Sequence, residues 1–334
     1  MSADELAPIV RLAPAKVNLT LAVGERRQDG FHDLHTVMVP LGLADRLSLA
    51  RAAGPGDSLH VAGGPEGRAS LDPAGYGSVL AAIEAARRAL GRAADAFPLA
   101  ARLEKRIPLA AGLAGGSSDA AAAIDGAVDA WGADLTAGDR ARIGATVGSD
   151  VPFFFAHGPA LVEGRGERVT PLRRIAGTAP GILLVTPAVE VATVEAFRVL
   201  DSDPAAAPVN RGSTRLTSEH LAAELGPGHP AMTADDLVRR AGAFAVANDL
   251  ARAADVIVPG LRRLRRAVTR LLGVPIGLTG SGPTLWALYP SLDAAEEAAR
   301  RVRDEHAAGR LESPGSGAPF VAATTIEGQG RTST

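Results

Sequence analysis

The sequence predicts an α+β protein that is divided into two domains. Its length of 334 residues is greater than one hydrophobic core usually carries, which favours two domains. Alternating apolar and polar residues, typical of strands, fill the opening of the chain before the first strong helical pattern. The second half passes through further helical patterns and returns to strands. We expect an N-terminal domain over residues 1–170, a C-terminal domain over 171–328 and a tail over 329–334.

Period-two patterns predict the N-terminal strands. In "KVNLTLAV", residues 16–23, apolar side chains alternate with Lys16, Asn18 and Thr20, which is the pattern of a half-buried strand. Lys16 and Asn18 are therefore expected on the same face of the strand. Three further strand-like segments, separated by Gly, Pro and Asp, are "HTVMVPL", "DRLSLAR" and "DSLHVAG".

Helices alternate with strands after this opening. The first strong helical pattern covers residues 77–90 and stops at Gly91. The strand-like segment "FPLAARLEKRI" leads directly into a loop of small residues, and two helices are predicted after it, over 117–131 and 136–147. A strand, a small-residue loop and a helix follow one another in the order that a phosphate site needs.

The second half is predicted to mix strands, loops and helices. A turn at residues 164–166 separates two strand-like arms, and "GILLVTP" has the composition of a short buried strand. Loops around a short helix are expected over 201–230, where Pro, Ala, Ser and Gly are frequent. The remaining predicted elements are helices over 234–254 and 259–272, strands in "PIGLTGSG" and "TLWALYP", a helix over 294–306 and a strand in "PFVAATTIE".

Composition excludes several classes of function. The formal net charge is −2 and aromatic residues make up 4% of the chain, so no global attraction to nucleic acid or an anionic membrane is expected. The absence of cysteine excludes disulfides and thiolate chemistry. The acidic start "MSADELAPIV" is unlike a signal peptide, and Gly and Pro interrupt the uncharged segment 271–292. We expect a soluble, cytoplasmic protein that recognises a small molecule locally.

The basic run "LRRLRR", residues 261–266, alternates arginine with leucine at helical spacing. This pattern predicts a solvated helix face above a stripe of core residues. A nucleic-acid patch is the alternative, and the slightly negative net charge disfavours it.

The segment "PLAAGLAGGSSDAAAA", residues 108–123, has the composition of a phosphate-binding loop. Its glycines would let phosphate oxygens approach the unpaired N–H groups at a helix N-terminus, where the helix dipole is positive. The alternative is structural: the serines would cap the helix, and the small residues would allow close packing. Asp119 would complement the helix dipole. The segment is neither a Walker A loop nor a GxGxxG dinucleotide motif.

Lysine is rare enough to be informative, because Lys16 and Lys105 are the only two in the chain. Arginine is a rigid fork and lysine a compact point charge, so a lysine in an arginine-rich chain indicates a position that needs the smaller cation. Lys16 lies in a strand with a polar face, which makes chemistry a plausible reason for it. Lys105 is interpreted as an ordinary charge at a strand end.

Five motifs in a fixed order resemble those of the GHMP kinases. They are "APAKVNLTL" at 13–21, "DGFHDLHTV" at 29–37, the loop at 108–118, "GSDVPFF" at 148–154 and "LTGSGPT" at 278–284. The resemblance implies an N-terminal domain like the second domain of ribosomal protein S5 and a ferredoxin-like C-terminal domain, with ATP and substrate bound between them. The first two motifs resemble the branch that phosphorylates the 2-hydroxyl of 4-diphosphocytidyl-2-C-methyl-D-erythritol in the non-mevalonate (MEP) pathway, and they differ from galactokinase, mevalonate kinase and homoserine kinase.

The resemblance implies a role for each matching residue. Asp150 would be the base that deprotonates the attacking hydroxyl, and Lys16 would stabilise the developing alkoxide, with ATP and Mg²⁺ as cofactors. ATP would contact the loop residues Pro108, Leu109, Ala110, Ala111, Gly112, Leu113, Ala114, Gly115, Gly116, Ser117 and Ser118. The cytidylyl substrate would contact Asn18, Phe31, His32, Thr193 and Phe197. The resemblance assigns no metal ligand.

Several of these residues also have a structural interpretation. Lys16 and Asp150 are 134 positions apart. Taken singly, Lys16 is a solvated charge at a strand end and Asp150 is a turn residue before Pro152. Phe31 would be a core residue, and His32 a loop histidine whose hydrogen bonds are satisfied within the protein.

The motifs depart from the family pattern at three positions. Ala110 and Ala111 stand where many relatives have glycine, and Phe31 stands where tyrosine is common, so loop flexibility and one hydroxyl contact are in question. Two other functions stay open. The first is a GHMP kinase that acts on a different small alcohol, and the second is a catalytically silent GHMP-fold protein that binds a nucleotide or a partner. The presence of both Lys16 and Asp150 disfavours the silent protein.

Overall fold

The structure is a computed structural model that describes residues 8–63, 68–71, 76–91, 98–208 and 210–326. The strands in these ranges are β1 (Ile9–Arg26), β2 (His32–Arg51), β3 (Ser58–Gly63), β4 (Arg68–Leu71), β5 (Leu99–Lys105), β6 (Ala160–Gly164), β7 (Arg168–Pro171), β8 (Gly181–Thr186), β9 (Gly277–Leu278), β10 (Leu285–Tyr289) and β11 (Phe320–Thr325). The helices are α1 (Gly77–Ala89), α2 (Gly115–Ala130), α3 (Ala137–Val147), α4 (Thr193–Ser202), α5 (Arg211–Glu224), α6 (Ala234–Arg239), α7 (Ala241–Ala245), α8 (Ala251–Ile257), α9 (Leu261–Leu272) and α10 (Leu292–Ala307). Helices together with two separate sheets confirm the predicted α+β class. None of the helices in these ranges is long and apolar enough to cross a membrane.

The chain divides into two compact units. The first consists of Met1–Ala15, Leu43–Pro108 and Ala114–Ala156, and the second of Lys16–Gly42, Leu109–Leu113 and His157–Thr334. Strands β1 and β2 each contribute residues to both units. The domain boundary expected near residue 170 stays a prediction, and the predicted tail over 329–334 lies outside the described residues.

The first unit combines the sheet order β4-β3-β5-β2 with helices α1, α2 and α3. Strand β5 is antiparallel to β2, with Arg46 opposite Glu104, and parallel to β3. Helix α2 is rich in alanine, and its residues 120–123 are all buried. Thr136 caps α3 by accepting a hydrogen bond from the Asp139 backbone N–H. The helices predicted over 77–90, 117–131 and 136–147 are thus confirmed.

The second unit contains a separate four-stranded antiparallel sheet in the order β11-β8-β10-β9. Every residue of β8 is buried, which confirms the buried strand predicted for "GILLVTP". Helix α10 packs against β8 and β11, and Leu183, Leu285 and Val302 belong to their shared core. In the same unit the N-terminal part of β2 pairs with β6, with Thr36 opposite Val162, and β6 pairs with β7 across the predicted turn.

Strand β1 is more buried than its sequence pattern predicts. Residues 16–23 are all buried, although their alternation is that of a half-buried strand. Leu21 on the apolar face belongs to a hydrophobic cluster of the second unit. On the polar face, Lys16 makes a buried hydrogen bond to Asn18 of the same strand, and Asn18 and Thr20 make buried hydrogen bonds to other segments of the unit. The alternation of apolar and polar residues therefore identified the two faces of β1. It did not indicate that other segments bury the polar face.

The segments "HTVMVPL" and "DRLSLAR" form one long strand, β2, where the sequence predicts two. Pro40 lies between residues 34–38, which pair with β6, and residues 46–51, which pair with β5. Proline lacks the N–H that a strand ladder uses. Pro40 lies where β2 changes its partner from β6 to β5, so neither of these two ladders requires an N–H at this position and the strand continues past it.

The helix predicted over 234–254 is instead three short helices, α6, α7 and α8. Leu21 of β1 donates its backbone N–H to Ala247 O, and the Asp249 N–H donates to Leu21 O. A continuous helix would use both of these groups internally. The bridge to β1 therefore interrupts the helix, and no local pattern signals it.

Candidate active site

The loop predicted to bind phosphate has an alternating backbone geometry. Ala110, Gly112 and Ala114 have φ angles of +48°, +76° and +54°, so every second residue is left-handed. Such alternation directs successive N–H groups to one side and forms a concave nest for anions. For the two alanines this conformation costs about 1–2 kcal/mol each. The sequence departure at Ala110 therefore leaves the loop in a shape that fits an anion.

Helix α2 begins directly after this loop and has no side-chain cap. Its N-cap residue is Ala114, which offers no side-chain acceptor, and Ser117 and Ser118 lie inside the first turn. The interpretation in which these serines cap the helix is therefore wrong. A Cβ on Gly115 would stand 3.1 Å from Cγ2 of Ile107, so a larger residue there would require the Ile107 side chain to shift by a few tenths of an ångström. First-turn N–H groups without a side-chain cap, at the positive end of the dipole, suit a phosphate.

Within the second unit, the motif "LTGSGPT" lies against the loop at Gly112. A Cβ on Gly112 would stand 2.5 Å from Thr279 O and 3.0 Å from Gly282 O, which leaves space only for glycine. Thr279 Oγ1 is 3.3 Å from both Gly112 O and Asn18 Oδ1, and its single hydroxyl hydrogen can be donated to either acceptor. Thr279 thus connects the loop to strand β1.

Lys16 is buried, with 3% of its surface exposed, so its interpretation as a solvated charge is wrong. Its Nζ donates to Asn18 Oδ1 at 2.6 Å and to Gly112 O at 3.3 Å. Its backbone N–H donates to Leu113 O at 3.0 Å. The second unit therefore places the ammonium beside Gly112 of the predicted phosphate loop, and its bond to Asn18 agrees with the strand face that the sequence predicts the two residues share.

A chain of buried hydrogen bonds continues from Asn18 into the second unit. Asn18 Nδ2 donates to Thr36 Oγ1 at 2.8 Å, and Thr36 Oγ1 donates to Thr20 O at 2.5 Å. Thr20 Oγ1 donates to Ser218 Oγ at 2.8 Å, and Ser218 Oγ lies 2.8 Å from His35 Nδ1. Burial lowers the pKa of His35. A neutral ring can share this chain without bringing a second buried charge near Lys16.

His32 and Phe197 form one side of the predicted substrate site. Their rings stack at 5.2 Å with 21° between their planes. His32 Nδ1 is 2.9 Å from Gly24 O, and because a carbonyl only accepts, Nδ1 carries the hydrogen. His32 Nε2 lies 3.1 Å from Asp201 Oδ1 on α4. The sequence did not single out Asp201, which follows Phe197 by one helical turn.

Phe31 is exposed, with 49% of its surface accessible, so its interpretation as a core residue is wrong. The Arg165 guanidinium lies 4.9 Å from the centre of its ring. Thr193 is the first residue of α4, and its Oγ1 is 3.3 Å from Ser281 Oγ of the "LTGSGPT" motif. Phe31 thus presents a flat apolar surface, and Thr193 a hydroxyl, to whatever binds beside them.

Asp150 belongs to the first unit and Lys16 to the second. Asp150 is half-buried in the turn between α3 and the 3₁₀ helix Val151–Ala156. Its predicted pairing with Lys16 and its predicted role as the base stay predictions.

Lys105 is the centre of a buried charge cluster in the first unit, so its interpretation as an ordinary strand-end charge is wrong. Its Nζ donates to Asp45 and, at 2.7 Å, to Asp119. Asp45 also accepts a hydrogen bond of 2.9 Å from the Ile107 N–H, just before the loop. Burial raises the pKa of Asp119 to about 7, against the opposing effect of Lys105. The rarity of lysine was the sequence signal that could have indicated this cluster.

The described ranges contain no group of three or more His, Cys, Asp or Glu side chains that could hold a metal ion. A Mg²⁺ ion that accompanies ATP takes most of its ligands from phosphate oxygens and water, with one or two carboxylates.

Comparison with known proteins gives consistent family matches. Residues 78–158 match the sequence profile "GHMP kinases N terminal domain", and residues 233–308 match "GHMP kinases C terminal". A protein of Anaeromyxobacter sp. named 4-diphosphocytidyl-2-C-methyl-D-erythritol kinase is 37% identical over 88% of this chain and 86% of its own length. A protein of Symbiobacterium thermophilum with the same name is 34% identical over 86% of this chain and 93% of its own length.

Solved structures give the same fold. A crystal structure of 4-(cytidine 5'-diphospho)-2C-methyl-D-erythritol kinase is 30% identical, covers 95% of this chain and 99% of its own, and has a TM-score of 0.63. Homoserine kinase from Cytophaga hutchinsonii is 19% identical, covers 98% of both chains and has a TM-score of 0.66. At that lower identity, the second likeness concerns the fold alone.

Proposed function

This chain belongs to the GHMP kinase family, and we propose that it transfers the γ-phosphoryl group of ATP to the 2-hydroxyl of 4-diphosphocytidyl-2-C-methyl-D-erythritol. This reaction is a step of the non-mevalonate route to isoprenoid precursors. The observation that carries the assignment is similarity over 86–88% of the chain, at 34–37% identity, to relatives named for this substrate. ATP and this substrate are cytoplasmic metabolites, so we place the reaction in the cytoplasm.

The loop at residues 108–118 is the proposed binding site for the ATP phosphates. The left-handed Gly112 and the start of α2 at Gly115 and Gly116 offer backbone N–H groups that no Cβ obstructs. Mg²⁺, bound through the phosphate oxygens, would neutralise charge and hold them in line. The loop and both proposed catalytic residues fall within residues 1–170, which we propose as the N-terminal domain.

Asp150 and Lys16 are the proposed catalytic residues. Asp150 orients the 2-hydroxyl and takes its proton as the oxygen–phosphorus bond forms and the bond from the γ-phosphorus to ADP breaks. Lys16 stabilises negative charge on the attacking oxygen. Its burial supports this role, because a desolvated ammonium interacts more strongly with developing charge than one in water.

The cytidylyl group of the substrate is proposed to bind at His32. Because Gly24 O engages Nδ1, Nε2 is the ring nitrogen that a cytosine edge can use, in competition with Asp201. Phe197 stacks on His32, and the exposed Phe31 ring supplies a second flat surface for the base. Asn18 and Thr193 contact the remainder of the substrate.

A substrate panel tests this function. The purified protein is given ATP and Mg²⁺ with the cytidylylated methylerythritol, mevalonate or homoserine, and ADP release is followed. We expect release with the cytidylylated compound alone. Asp150→Asn is the matched control: it keeps the shape of the side chain but cannot take the proton, so ATP still binds within a few-fold and turnover is lost. Release with another alcohol instead would assign a different GHMP kinase, and no release with any would favour a silent binding protein.

A further inference from the structure

The basic motif "LRRLRR" contributes to a groove in the second unit that the proposed function does not use. Leu261 and Leu264 are buried and the neighbouring arginines are outside the core, which confirms the solvated face predicted from the sequence. That face, however, lines a cavity of about 970 Å³. None of the lining residues belongs to the proposed nucleotide or substrate site.

Four arginines on one face of α9 line this groove: Arg262, Arg265, Arg266 and Arg270. Their spacing of three and four residues places them on the same side of a helix, and successive turns separate them by about 6 Å along its axis. Arg252 of α8 adds a fifth guanidinium. The groove therefore presents a row of cations and not a single one.

The acidic residues that line the groove do not balance this charge. Asp255 accepts a hydrogen bond from Arg265 at 3.3 Å. Burial raises the pKa of Asp255, and four positive charges oppose this effect, those of Arg265, Arg262, Arg266 and Arg252. These guanidinium groups therefore surround a single carboxylate. Asp249, the other lining carboxylate, accepts a hydrogen bond from the Val23 N–H. The excess of positive charge is local, because the whole chain has a net charge of −2.

Polar side chains also line the groove, and the described lining residues include no aromatic ring. Ser213, Thr214 and Thr217 of α5 line it, together with Asn210 at the helix start. Thr214 and Thr217 donate their hydroxyl hydrogens to the backbone carbonyls of Asn210 and Ser213, so the Ser213 hydroxyl and the Asn210 amide N–H are the groups that can donate to a phosphate oxygen. The described lining residues include no Phe, Tyr, Trp or His, so bases of a nucleic acid would find no ring on which to stack.

We propose that the groove between α9, α8 and α5 is a binding site for a small polyphosphate, a molecule with two or more linked phosphoryl groups. Guanidinium groups bind phosphate oxygens through two parallel hydrogen bonds, and a row of them matches a row of phosphoryl groups. A concave site buries these contacts and strengthens them compared with a flat surface. The proposal is independent of the kinase activity.

The test is a titration of the full chain with inorganic tripolyphosphate, monitored by calorimetry in Mg²⁺-free buffer with excess AMP-PNP to occupy the nucleotide loop. We expect saturable binding that Arg266→Gln weakens about tenfold and R262Q/R266Q about a hundredfold or more, since each lost charged hydrogen bond is worth about 1.5–3 kcal/mol. Arg263→Gln is the matched control, because Arg263 is an exposed arginine of the same helix that does not line the groove. It should change the affinity less than twofold.

Three results of this titration would overturn the proposal. They are an absence of saturable binding, an affinity that the groove variants leave unchanged, and an equal loss in Arg263→Gln, which would indicate general surface attraction. A single-stranded oligonucleotide that displaces tripolyphosphate at lower concentration would also contradict it, because the ligand class would then be nucleic acid. Turnover should stay within twofold in all these variants.

Discussion

At the scale of single residues, the Lys16 ammonium is buried against the Asn18 amide oxygen and the Gly112 carbonyl. If it stabilises the attacking oxygen, Lys16→Met should lower kcat about 10²- to 10³-fold, the usual effect of removing one such donor. The KM for ATP should change only a few-fold. Lys16→Arg is the conservative control and should not restore activity, because the planar fork is too large for the site of a point charge. Steady-state kinetics at saturating substrate measure both, and near-normal kcat in Lys16→Met would exclude the role.

Thr36 positions Asn18, and through it Lys16, by accepting the Asn18 amide hydrogen bond. Thr36→Val keeps the shape but leaves a buried N–H without that acceptor, at a cost of about 1–3 kcal/mol in stability. We expect kcat to fall about 5- to 30-fold as Lys16 loses its fixed orientation. Thr186→Val is the matched control. Its buried hydroxyl pairs with that of Thr284, and Thr186 lies in β8, so this variant should lose stability but keep kcat. Equal kcat in the two variants would show that Thr36 has only a structural effect.

The carboxyl of Asp119 links stability to pH in the first unit. Its pKa is raised to about 7 by burial, from an ordinary value of 3.8. The folded protein therefore holds this proton more tightly than the unfolded chain, so the stability that it contributes is complete below pH 4 and is lost as pH rises to about 7. Asp119→Asn removes the titration, and its free energy of unfolding should fall less than that of the wild type between pH 4.5 and 7.5. Urea unfolding at both pH values measures this, and parallel losses would contradict the assignment.

At the scale of elements, the phosphate loop depends on Gly112 for two separate reasons. Its φ is +76°, and a Cβ would stand 2.5 Å from Thr279 O. Gly177 separates the two reasons, because it also has a φ of +76° but nothing lies within 4 Å of the place that a Cβ would take there. Gly112→Ala should cost about 1–3 kcal/mol more than Gly177→Ala, the usual cost of overpacking, and should raise the KM for ATP at least tenfold. Unfolding and ATP kinetics on both variants check this, and equal effects would mean that the close contact is unimportant.

Elements with a strong local signal were predictable from the sequence. The C-terminal end of α1 follows from Gly91, which has a left-handed backbone. The N-terminal end of α3 follows from Thr136, which caps that helix. The break in the helix predicted over 234–254 was not predictable, because its cause is the pairing of Leu21 with residues 247 and 249. Likewise, Pro40 predicts the end of a strand. The continuity of β2 was not predictable, because it depends on the change of partner from β6 to β5 along the strand.

At the scale of the whole molecule, the sequence predicted site residues that share a strand or a motif better than those that meet from distant segments. Lys16 and Asn18 are two positions apart, and their shared face follows from strand periodicity. Asp45 and Lys105 are 60 positions apart, and no spacing rule joins them. Asp201 was missed for the same reason: its contact with His32 joins two elements that are remote in the chain.

The fold and the similarity to named kinases over 86–88% of the chain support one central claim, that the 2-hydroxyl of 4-diphosphocytidyl-2-C-methyl-D-erythritol receives the phosphoryl group. Phosphorus NMR of a completed reaction tests it most directly. We predict one new phosphomonoester signal, an unchanged diphosphate bridge to cytidine, ADP equal to the monoester formed, and coupling that assigns the new ester to C2. An absence of monoester, or ADP formed whether or not the alcohol is present, would contradict the claim.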